Sequence, residues 1–233
     1  MSLTERLIRR IATTGPMTVA EYMTEALFDP REGYYATRDP FGAAGDFVTA
    51  PEVSQMFGEL LGLCLAQAWM DQGAPSRIVL AELGPGRGTL MADLLRATAR
   101  VPGFAAAAEV HLVEASPRLR AEQAEAVPGA TWHDRLDDLP EGPLYMVANE
   151  FLDALPVRQF QRAGEGWRER VVGLTDGHLA WGLTEAAPLA ALEARLEDTT
   201  DGQIVELRPA AEAIVGEIGR RIAAHGGAAL LID

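Results

Sequence analysis

The segment from Ile78 to Thr89, IVLAELGPGRGT, constrains the fold of this chain more than any other stretch. A short apolar run ends in glycines at 84, 86 and 88, and helix-spaced residues follow at once. This is the pattern of a strand, a tight turn and a helix, and glycine there lets a ligand approach the backbone closely. The rhythm then repeats. Strands are expected over 109–113, 130–132 and 144–148, with helices over 89–100 and 117–126 between them. Such alternation indicates a parallel sheet with helices on its faces, an α/β fold of Rossmann-like type.

Two regions depart from that rhythm. Residues 1 to about 75 read as a helical extension: 3–13 and 18–28 repeat near every 3.6 residues, and Thr18 with Glu21 forms a capping box. A loop rich in Gly, Pro and aromatics follows from Asp29 to Ala50, and Pro51 opens a helix running to Asp71. A loop of that length is usually functional. Between about 156 and 207, segments 157–162, 167–174 and 178–183 read as antiparallel strands inserted into the main domain, followed by a helix over 189–196 and a strand over 203–207. The main domain therefore spans 76–233, resuming with a helix over 209–224 and a strand over 227–233.

The residues around the glycine turn suggest the ligand. Glu82 stands two residues before Gly84, where a carboxylate repels a pyrophosphate but attracts the ammonium group of S-adenosylmethionine (AdoMet). Spacing points the same way, since GxGxG differs from the GxGxxG of dinucleotide sites. Glu114 ends the next strand, where an acid accepts hydrogen bonds from ribose hydroxyls. Pro85 within the turn and Ser116 beside Glu114 belong to the same candidate cofactor site. After the third strand, Trp132 and His133 are placed to line an adenine, the alternatives being a core tryptophan and a structural histidine. At the end of the fourth strand, Asn149, Glu150 and Asp153 are candidate catalytic groups. The two acids orient and deprotonate a cationic nitrogen and Asn149 holds it, unless the acids cap a following helix.

Composition removes several classes. A formal net charge of -14 opposes nucleic-acid binding and suits a basic partner. All twenty cationic side chains are arginine, which excludes a Walker-type phosphate lysine and a Schiff-base lysine. Cys64 is the single cysteine and is expected to be buried, and four scattered histidines give no metal site. No apolar run is long enough to span a bilayer. The N-terminus lacks a signal core, and Glu5 and Glu25 speak against a transit peptide, so the expected compartment is the cytoplasm.

Four stretches together are far more specific: DPREGYYATRDPFGAAGDFVTAPEVSQMFGELLG from Asp29, ELGPGRGTLMADLLR from Glu82, HLVEASPRLR from His111 and VANEFLDALPVRQF from Val147. On these the chain resembles the MidA-like family of AdoMet-dependent methyltransferases. The resemblance implies a class I methyltransferase fold with a helical N-terminal extension and an inserted segment on the substrate side. It also implies arginine methylation of a respiratory NADH dehydrogenase (complex I) subunit, hence a protein partner with an exposed arginine. Asp46 and Thr49, in the segment resembling the family's GDF-TAPE motif, are expected to contact AdoMet or substrate, the alternative being that Thr49 caps a helix. Family members continue past the strand ending at Asp233, so further sheet strands are expected beyond it. Two other readings compete: a non-catalytic assembly protein that retains the fold, and a small-molecule methyltransferase.

Overall fold

Apolar and alternating runs bounded by turns form strands, and the computed structural model, which describes residues 1–37 and 49–233, arranges them in two sheets. The chain opens with α1 (Leu3–Thr14), β1 (Met17–Thr18), α2 (Val19–Phe28) and α3 (Tyr34–Thr37). Then come α4 (Ala50–Val53), α5 (Gln55–Asp71), β2 (Ile78–Leu83), α6 (Thr89–Thr98), α7 (Phe104–Ala107), β3 (Ala108–Val113), α8 (Pro117–Ala126), β4 (Thr131–His133) and β5 (Leu144–Asn149). Strands β6 (Arg158–Ala163), β7 (Gly166–Thr175), β8 (His178–Leu183) and β9 (Ile204–Leu207) precede α9 (Pro209–His225) and β10 (Gly227–Ile232).

Two compact units result, Met1–Arg38 with Leu155–Ala210, and Asp39–Ala154 with Ala211–Asp233. The boundaries differ from a simple division near residue 75. Helices α1 and α2 cluster with the inserted strands, whereas α5 belongs with the parallel sheet. In the first unit β1, β7, β6 and β9 lie in that order, antiparallel, with β8 also on β7. Both helices carry complete capping boxes, Ser2 with Glu5 and Thr18 with Glu21. The helix expected over 189–196 is instead two 3₁₀ turns, Ala190–Leu192 and Ala194–Leu196.

The second unit holds the parallel sheet in the order β10-β5-β2-β3-β4. Strand order reverses between β2 and β5, the topological switch at which such sheets bind ligands. Among the described residues, strand β10 pairs with β5. All six residues of β2 are buried, because both faces are covered. Leu65, Trp69, Leu90 and Leu94 of α5 and α6 pack on one face, and Leu136, Leu139 and Ile218 on the other.

Helix α5 approaches α6 closely through two glycines. A Cβ at Gly58 would lie 2.8 Å from Asp93 Cβ, and one at Gly62 would lie 2.8 Å from Leu94 Cγ. This contact seats α6, whose N-terminus carries the glycine turn. Cys64, expected in the core, is exposed, since the buried face of α5 is Gly58, Gly62, Leu65, Ala66 and Trp69. The helix expected from Pro51 to Asp71 is broken at Ser54, whose extended backbone ends α4 and whose hydroxyl accepts from the Met56 N–H to start α5.

Candidate functional site

Gly84, Gly86 and Gly88 all adopt left-handed backbone, with φ of 60°, 54° and 84°. Any other residue would be strained there. Gly84 is fixed a second way, because a Cβ on it would lie 2.6 Å from the ring of Phe151. The turn is held by the Gly84 N–H donating to Val113 O (3.1 Å) and the Gly88 N–H donating to Pro85 O (2.7 Å). Gly88 is the N-cap of α6 and offers no side chain to its first N–H groups.

Glu82 does not lie open at the turn, as a surface carboxylate would. It is 3% exposed and accepts from the Met91 backbone N–H in the first turn of α6, and burial pushes its carboxyl up to about 8. Its Oε2 has no hydrogen-bond partner among the described residues.

At the end of β3, Glu114 accepts from the Ser116 N–H (2.7 Å), and burial, the largest influence, raises its carboxyl above the usual range. Ser116 in turn caps α8. Arg120 donates from Nε to Glu114 O at 2.6 Å and pairs with Asp134 at 2.5 Å, joining the ends of β3 and β4. Trp132 and His133 point to opposite faces of the sheet. The Trp132 indole N–H donates to Gln123 Oε1 at 2.8 Å, and His133 Nε2 lies 3.0 Å from His111 Nδ1. Burial lowers the pKa of both histidines.

A cavity of about 290 Å³ opens at the carboxyl ends of β2, β3, β4 and β5. Leu83, Val113, Leu136, Phe151 and Ile214 supply apolar walls, and Asp134 and Glu217 acidic ones. Arg220 and Arg221 hold the Glu217 carboxyl down to about 2, so it stays ionised. The buried guanidinium of Arg221 also donates to the carbonyls of Asp137, Leu139 and Pro140, which fixes the loop after β4 along this cavity.

Asn149 ends β5 in register with Ile232. Glu150 is exposed and has φ of 50°, a strained conformation for a non-glycine residue, with its N–H donating to Ile232 O at 2.8 Å. Asp153 is exposed, and its N–H reaches Asp233 Oδ1 at 3.5 Å. No helix follows these acids, so they are not caps. Thr49 is the N-cap of α4 but makes no side-chain cap bond. Asp46 lies outside the described residues.

Four contributors escaped the sequence reading. Gln123, Arg120 and Arg221 come from helix faces whose pattern gives no sign of them. Glu52 accepts from Thr89 Oγ1 at 2.7 Å, tying α4 to the start of α6, and only its place in the TAPE segment hinted at this.

These residues fit AdoMet. An apolar cavity at the carboxyl ends of the strands suits an adenosine, Glu114 ends one of those strands, and a buried acid with an unpartnered oxygen suits a cationic amino acid end. The fold and site thus define a nucleoside-binding α/β protein of the AdoMet-dependent methyltransferase class.

Comparison with known proteins agrees. The family model described as "Putative S-adenosyl-L-methionine-dependent methyltransferase" matches residues 60–233, and the chain belongs to that family. The chain is 41% identical to the Homo sapiens protein arginine methyltransferase NDUFAF7, mitochondrial, over 97% of its own length and 58% of that protein's. The Danio rerio protein of the same name is 38% identical over 100% of the chain and 61% of its own length. A superfamily member from Burkholderia thailandensis, solved with S-adenosyl-homocysteine, superposes with a TM-score of 0.82 at 33% identity, covering 98% of this chain and 61% of that one. The chain thus spans about three fifths of the length of the curated relatives it matches.

The expectation of a cytoplasmic compartment is overturned, because these relatives are named as mitochondrial. The acids that suggested it have local roles. Glu5 closes the capping box of α1, and Glu25 pairs with Arg10 at 3.0 Å. No helix among the described residues is long and apolar enough to cross a membrane.

Proposed function

We propose that this chain carries the cofactor site of a protein arginine N-methyltransferase acting on a basic protein site, a subunit of respiratory complex I being the substrate the MidA-like resemblance implies. The observation that carries the reading is the juxtaposition, at one end of the parallel sheet, of the glycine turn with buried Glu82, the ribose-side acid Glu114 and the exposed acids after β5. Relatives named as protein arginine methyltransferases support the acceptor, as does the net charge of -14.

AdoMet, when bound, supplies an electrophilic methyl group on its sulfonium. The chain's part is positioning. Glu114 holds the ribose and the turn admits the amino acid end. Glu150 and Asp153 bind the substrate guanidinium, Asn149 orients its nitrogen, and Glu150 takes the proton that nitrogen loses. Thr49 and Asp46 contribute from the segment ahead of α4.

The test is methyl-labelled AdoMet incubated with the protein and a lysate lacking its gene. A labelled protein band mapping to arginine is expected, with Glu150→Gln reducing incorporation about tenfold or more. Label on a small molecule, or none despite AdoMet binding, refutes the arginine reading. Undiminished transfer by Glu150→Gln removes the role given to that residue.

A further inference from the structure

The side chain of Gln123, on α8, is fully buried, yet it touches three separate parts of the candidate cofactor site. Its Nε2 donates to Gly86 O at 2.7 Å and lies 3.4 Å from Glu114 Oε2, and its Oε1 accepts from Trp132 Nε1 at 2.8 Å. These contacts fix the amide's orientation by chemistry alone. An indole N–H only donates, whereas a carbonyl and a carboxylate oxygen accept, so exchanging the amide's N and O would break all three contacts.

Glu114 gains most from this arrangement. One carboxylate oxygen is held by the Ser116 N–H, and the other is met by Gln123. A carboxylate steadied on both oxygens is held near one orientation, which lowers the ordering cost when a ligand arrives. The same amide grips the glycine turn at its middle residue. The turn and the ribose-side acid, 28 residues apart in sequence by the positions of Gly86 and Glu114, are therefore joined through one side chain.

We infer that Gln123 is a positioning residue for nucleoside binding, whose one amide locks Gly86, Glu114 and Trp132 together and so preorganises Glu114 for the ribose hydroxyls. The inference rests on the AdoMet reading of the site. It goes further by assigning a part in ribose recognition to a fully buried residue that acts through Glu114. Gln123→Met keeps the length of the side chain and removes its hydrogen bonds. Gln123→Glu keeps the shape and the acceptor for Trp132 but removes the donor to Gly86 and Glu114.

Calorimetry with the full chain should use S-adenosylhomocysteine and its 2′-deoxy analogue, and each variant's melting should confirm that it folds. The unsubstituted chain should prefer the ribose form. Both variants should bind S-adenosylhomocysteine about ten- to a hundredfold more weakly but the 2′-deoxy analogue only a few-fold more weakly, collapsing the preference. Trp132→Phe, which removes the indole donor and keeps an aromatic ring, should erode the preference in the same direction. Equal losses for both ligands, or an unchanged preference in folded variants, overturn the inference by making Gln123 a packing residue only. Failure of the unsubstituted chain to bind either ligand overturns the cofactor reading itself, and this inference with it.

Discussion

Burial of Glu82 makes the stability of this protein depend on pH in a direction opposite to that of most carboxylates. The group titrates at its ordinary 4.5 when unfolded and at about 8 when folded, because burial in the apolar space between β2 and α6 penalises the charge. Between those values the folded state holds a proton that the unfolded state has lost, so stability falls as pH rises through the window and levels off above it. At about 1.4 kcal/mol per pH unit, the loss approaches about 5 kcal/mol across the whole window and about 3 kcal/mol by pH 7. Glu82→Gln retains an acceptor for the Met91 N–H and cannot ionise. Urea denaturation of both proteins without ligand, at pH 5, 6, 7 and 8, should show the variant gaining on the parent by about 1.4 kcal/mol per unit. Parallel stability curves would refute the reasoning, since they require Glu82 to ionise as easily inside the protein as outside it. Saturating S-adenosylhomocysteine should flatten the parent's curve, because a cationic amino group near Glu82 favours the ionised form.

Other perturbations test the scaffold around the site. Gly62→Ala places a Cβ 2.8 Å from Leu94 Cγ and 3.0 Å from Leu94 backbone atoms, so α6 must shift, at a cost of about 1–3 kcal/mol read by thermal melting. Gly84→Ala combines a left-handed φ with a 2.6 Å approach to Phe151, and it should abolish measurable S-adenosylhomocysteine binding in calorimetry. Arg221→Met removes the donors to three backbone carbonyls and the partner of Glu217, and it should cost about 2–4 kcal/mol in urea denaturation. Glu114→Ala should weaken S-adenosylhomocysteine binding about tenfold or more while leaving the melting temperature of the ligand-free protein within a few degrees.

Much of the local structure was legible without coordinates. The strand Ile78–Leu83, the helix Pro117–Ala126 and the strand His178–Leu183 fall where periodicity put them, as does the capping box of Thr18 and Glu21. These features depend on neighbours a few residues away, so a single sequence contains their causes. One local pattern pointed to a single helix where the structure has two. Val53 and Gln55 belong to separate helices because Ser54 is extended, although proline at the first turn suggested one continuous helix.

The sequence by itself determined that a strand ends in a glycine turn with an acid just before it and another ending the next strand, because turn chemistry and side-chain alternation act over short range. Tertiary structure decided what those groups experience. Only the covering of both sheet faces buries Glu82 and shifts its titration, and only the close approach of α5 to α6 through Gly58 and Gly62 sets the helix above it. Gln123 reaches Gly86 across 37 positions, and Arg221 reaches Leu139 across 82. Burial and long-range hydrogen bonds are properties of the assembled layers, in which residues distant along the chain share one low-dielectric space, and no window of sequence contains them.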